Sequence, residues 1–86
     1  MKPHEMVAEQ EPDALIMAEF EEACIGMCEQ FGRPPVALYD YGKVITLLIR
    51  QGMTYEDAVE WFGFNIIGAW VGEYTPAFAV LFEPAT

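Results

Sequence analysis

The sequence predicts an α+β domain: three helices against a minimal two-stranded sheet, in a chain that associates with itself. Three observations lead there. Two stretches open on a helix-capping residue and continue with apolar residues at helical spacing. Two short apolar runs, residues 36–39 and 77–82, each follow a proline and read as strands. Hydrophobic residues make up 53% of only 86, more than so small a body can cover, so part of that surface is expected against another copy.

Residues 1–12 are polar and acidic, with Pro3 and Pro12, and read as a flexible arm ahead of a single domain spanning 13–86. The first helix is expected to open on Asp13 as N-cap and to stop at Gly32. Ile16, Phe20, Ala23, Cys24, Met27 and Phe31 would form its inner face, opposite Glu19, Glu22 and Glu29. Gly26 weakens that reading by about 1 kcal/mol. A rival reading makes residues 23–27 a short strand; the helix is preferred.

Pro34 and Pro35 forbid helix and feed the strand at 36–39. Asp40 can cap a second helix over 41–51, ended by Gly52 and apolar around most of its circumference. Thr54 to Asp57 resembles a capping box for a third helix from Tyr55 to Phe64 or Ile67, with Met53 stapling onto Ala58. That helix would bury Tyr55, Val59, Phe62 and Ile66. Residues 68–76 hold too much glycine to continue it, and the closing strand at 77–82 is expected to pair with 36–39.

Charge narrows the function. The formal net charge is -10, and residues 1–29 hold eight of the fourteen acids with Lys2 as their one lysine or arginine. This balance argues against general nucleic-acid binding and against an anionic membrane surface. The acidic N-terminus does not read as a signal peptide, and no apolar run reaches membrane-spanning length. Two cysteines suit a reducing cytosol better than a disulfide framework.

Catalytic equipment is thin. The single histidine, His4, falls in the expected arm, and there is no serine to act as a nucleophile. No enzyme activity and no cofactor are therefore expected. Cys24 and Cys28, one helical turn apart, lack the further ligands that zinc needs and read as small core residues. Glu19, Glu21 and Glu22 read as a solvated face.

The distinctive stretch is 61–78, which holds both tryptophans and runs twelve residues, 61–72, without a charge. Trp61, Trp70 and Tyr74 could stack on a planar ligand while Asn65 reads its polar edge. Arg33, Lys43 and Arg50 could meet phosphate oxygens, the last two lying seven apart and hence on one helical face. Against this stands the plainer reading: aromatics beside a small core usually pack, and scattered bases usually pair with acids.

Residues 36–41, 52–60 and 64–73, followed by Thr75-Pro76, resemble a group of small proteins of tailed bacteriophages. The resemblance covers residues 20–80, and its specific part is Phe64-Asn65 followed by Gly68-Ala69-Trp70-Val71-Gly72. It implies a phage origin and brings no catalytic residues with it; the acidic N-terminal segment departs from the pattern. A phage accessory protein acting in the host bacterial cytoplasm against a defence system is the resulting expectation. The favoured form is a sponge, a homo-oligomer that sequesters a nucleotide-derived immune signal. The alternatives are an acidic inhibitor of a host defence protein, in the manner of anti-CRISPR proteins, and a virion assembly factor.

Overall fold

The computed structural model describes residues 1–82. It is an α+β domain, as expected, with a sheet of three strands rather than two. Strand β2 (Val36–Asp40) lies in the middle, antiparallel to β1 (Cys24–Cys28) and parallel to β3 (Ala77–Ala79). The expected pairing of 36–39 with the closing strand is present, although β3 is shorter than residues 77–82.

Helix α1 (Pro3–Gln10) stands where an arm was expected. Proline in its first turn costs nothing, because that N–H has no helical partner anyway. One turn apart, His4 and Val7 are both buried and fasten the helix against the sheet. The long first helix expected over 13–31 is absent. Its place is taken by a 3₁₀ segment (Ala18–Ala23) and β1, so the rival strand reading of 23–27 is the one the chain adopts.

The reason is long-range. Strand β2 offers β1 a ladder from Cys28↔Val36 to Cys24↔Tyr39, with a bulge at Ile25 that absorbs the extra residue. The hairpin turns at Gln30–Arg33, where Arg33 N–H donates to the Gln30 carbonyl at 3.1 Å. Gly32, with φ 77°, occupies the position a type II turn reserves for glycine. Thus Gly32 turns a hairpin instead of ending a helix. Phe31, assigned above to an inner face, projects from the turn tip fully exposed.

The remaining helices follow their caps. Asp40 Oδ1 accepts from Lys43 N–H at 3.2 Å and starts α2 (Tyr41–Arg50); Thr54 Oγ1 accepts from Asp57 N–H at 3.1 Å and starts α3 (Tyr55–Phe62). Val44, Ile45 and Leu48 of α2 are buried, and α3 contributes Ala58 and Phe62. Tyr55, expected inside, is exposed at the start of α3. Helix α3 then runs into a π turn (Gly63–Ile67), which buries Ile66.

Tyr39, fully buried on β2, joins the parts. Its hydroxyl accepts from Met17 N–H at 2.8 Å and lies 2.7 Å from His4 Nε2, while His4 Nδ1 lies 3.3 Å from Glu21. Every polar atom is satisfied when Tyr39 donates to Nε2 and Nδ1–H donates to Glu21. The Tyr39 ring stacks on Phe78 of β3, which meets Phe62 edge-on, which meets Tyr41 edge-on. Cys24 and Cys28 are free thiols on β1 rather than on one helical face, and burial is the main cause pushing the Cys24 thiol pKa up.

Replacing Tyr39 with Phe strips the Met17 N–H and His4 of their buried partner. Urea denaturation is expected to show a loss of about 3 kcal/mol, and a loss near zero would show that this hydroxyl holds nothing together. Burial also pushes the Tyr39 pKa from 10.0 up to about 12. Because the folded pKa is the higher one, this contribution is complete below pH 10 and disappears as pH rises from 10 to about 12. Its slope reaches about 1.4 kcal/mol per pH unit; Tyr39→Phe should flatten the alkaline limb of stability against pH.

Candidate functional site

The stretch 61–78 divides between inside and outside. Phe62, Ile66 and Phe78 pack in or against the core, whereas Trp61 is 37% exposed and Trp70 67%. Phe64, Ile67 and Val71 are exposed as well. The π turn follows Phe62 directly and keeps Ile66 on the buried stripe of Ala58 and Phe62. There Asn65 Nδ2 donates to the Trp61 carbonyl at 3.1 Å, so part of the amide once assigned to a ligand serves its own helix.

Beyond the turn, Gly68 sits close over the helix end: a Cβ there would lie 3.1 Å from the Gly63 carbonyl oxygen. The chain then folds back on Thr75, whose Oγ1 accepts from Val71 N–H at 3.0 Å and donates to the Gly72 carbonyl at 2.6 Å. Gly72, with φ 106°, supplies the left-handed backbone this reversal needs.

Between the α3–π end and the extended segment before the 3₁₀ helix lies an open apolar groove of about 330 Å³. Trp61 and Asn65 line it from α3 and the π turn with Ala69 just beyond, Leu15 and Ile16 from the opposite side, and Phe78 from the sheet. On the 69–75 side its backbone donors are already engaged: Ala69 N–H on the Ile66 carbonyl, Val71 N–H on Thr75 Oγ1, and Thr75 N–H on the Gly72 carbonyl. What that side of the groove presents is therefore mainly side-chain surface.

The other sequence-predicted residues lie elsewhere. Arg33 and Trp70 share a smaller hollow of about 140 Å³, together with Glu73. Lys43 and Arg50 lie along α2 as their spacing implied, at a third depression, where Arg50 Nη1 pairs with Glu22 at 3.2 Å. That pair is largely exposed and contributes little to stability. Tyr74 is half-exposed and does not line the groove; its carbonyl accepts from Leu15 N–H at 3.4 Å. Partial burial and then the carboxylates of Glu11, Asp13 and Glu73 push its hydroxyl pKa up. Six of the seven residues thus fall into three pairs around the molecule, Trp61 with Asn65, Arg33 with Trp70, and Lys43 with Arg50, and Tyr74 stands apart from all three.

Leu15 and Ile16 are the residues that reading the sequence did not place in a site. Ile16 fitted the inner face of a helix that does not form. His4, set aside above as part of the arm, is committed to the core between Glu21 and Tyr39. Among the described residues, no group of three metal-ligating side chains converges, and no helix is long and apolar enough to cross a membrane. Comparison with protein-family models, with curated proteins and with solved structures finds no match.

Thr75→Val keeps the side-chain shape and removes both hydroxyl hydrogen bonds. It should cost about 1 kcal/mol and speed amide exchange across residues 71–75. Unchanged exchange at Val71 would show that the loop holds its form without Thr75.

Proposed function

We propose that this chain is a non-catalytic accessory protein of a tailed bacteriophage that acts in the host cytoplasm by binding a defence protein through the groove beside Trp61. The observation that carries this reading is the groove itself: apolar, open, and lined by the exposed aromatic that the core does not use. The commitment of the single histidine to the core agrees with a binding role rather than with acid–base catalysis. The resemblance of residues 36–41, 52–60 and 64–73 to phage proteins supplies the biological setting. An inhibitor built on an acidic first helix loses its scaffold, since Glu19, Glu21 and Glu22 lie on a short 3₁₀ segment and two of them face His4 and Arg50.

A second reading, the nucleotide sponge, is favoured by one observation: Arg33 and Trp70 line the same hollow, a guanidinium for phosphate beside a ring for stacking. At about 140 Å³ the hollow would need a second subunit to enclose a nucleotide, so this reading requires the homo-oligomer.

Expression in bacterial hosts, each carrying a single defence system, tests both. Plaquing by a restricted phage should recover on at least one host and be lost with Ile16→Asp, while Arg33→Ala with Trp70→Ala leaves it intact. The opposite dependence, joined to retention of a cyclic dinucleotide or an ADP-ribose derivative in dialysis, would establish the sponge instead. Recovery on no host would remove the defence setting altogether.

A further inference from the structure

The groove's surroundings carry a consistent charge. Glu19 is its one ionisable lining residue. Asp13 precedes the Leu15 wall by two residues, and beside Leu15, at Tyr74, the local field is that of the carboxylates of Glu11, Asp13 and Glu73. The four lysines and arginines lie off the groove: Lys2 before α1, Arg33 in the hairpin turn, Lys43 and Arg50 on α2. An apolar cleft flanked by acids alone selects its occupant by sign as well as by shape.

We infer that the groove takes a cationic amphipathic helix of a partner protein, its apolar ridge seated against Trp61, Ile16 and Phe78 and its Lys or Arg residues facing Glu19 and Asp13. This inference rests on the binding role assigned above and names the partner's chemistry. A second copy of this chain fits poorly, because a protein of net charge -10 would bring more acid to an acidic rim. An anionic nucleotide meets the same field. An added strand would meet few free donors, because Ala69, Val71 and Thr75 have already spent their N–H groups within the loop and Leu15 N–H is bonded to the Tyr74 carbonyl. A helix satisfies its own backbone and needs from its host only a cleft for an apolar ridge at i, i+3, i+4 and i+7.

The probes are three synthetic peptides of roughly 14 residues, near the length at which isolated helices become stable. One is amphipathic Leu/Lys, one amphipathic Leu/Glu, and one Lys/Ser with no apolar ridge. Trp61 emission, recorded in a Trp70→Phe background, reports the groove. Leu/Lys should bind with a blue shift and weaken with added salt. Ile16→Asp should reduce its affinity about tenfold or more. Asp13→Lys with Glu19→Lys should reduce affinity and flatten the salt dependence, with circular dichroism showing both variants folded.

Binding of Leu/Glu as tight as Leu/Lys would overturn the cationic assignment and leave an apolar groove in place. Binding of Lys/Ser as tight as Leu/Lys, or indifference to Ile16→Asp, would overturn the groove itself as the docking site. Sedimentation showing a dimer whose contact is broken by Ile16→Asp would assign the groove to self-association and overturn the inference as well.

Discussion

The hydroxyl of Tyr39 is the constraint on which the rest of this structure depends. A chain of 86 residues gains little net stability from its core, and each element must be held by something specific. One buried oxygen on the central strand meets the N-terminal helix through His4 and the segment before the 3₁₀ helix through Met17 N–H, while its ring carries β3 through Phe78. A phenylalanine would fill the same space and leave two polar groups stranded. That asymmetry, more than the hydrogen bonds' net worth, makes the site unforgiving. Holding the Met17 segment in place also holds Leu15 and Ile16, so the wall of the groove is positioned from the core.

The other wall follows from the inward stripe of α3 and the π turn, formed by Ala58, Phe62 and Ile66 at a spacing of four. Trp61 is left at the rim and Phe64 outside. Large rings left outside a core this small keep apolar surface in water.

Much of the architecture was legible where the information is local. Asp40 and Thr54 announce their helices because a capping residue acts on an N–H three positions away, and prolines 34, 35 and 76 mark where extended chain follows. The misread segment, 1–31, depends on partners far away in sequence. His4 meets Glu21 and Tyr39; Cys24 to Cys28 becomes a strand only because β2 is there to pair with it. Apolar residues at 16, 20, 23, 24 and 27 satisfy a helical period, and no local signal outweighs that pattern. The site was legible as a stretch and not as a surface. Trp61 and Asn65 share a groove because they are one turn apart, but their opposite wall, Leu15 and Ile16, comes from the segment whose structure was misassigned.

The parallel pairing of β2 with β3 has a consequence in time. The β1–β2 hairpin closes over a short turn, whereas Leu38 meets Ala77 only after the whole α2–α3 crossover has been made. Loop-closure entropy places the first event early and the second late. Until β3 arrives, one edge of β2 is bare and the Tyr39 ring lacks its stacking partner. During that interval the nascent chain presents an unpaired strand edge and an apolar face together, the combination that invites aggregation. The acids of the first 29 residues, already synthesised by then, oppose that association through like-charge repulsion.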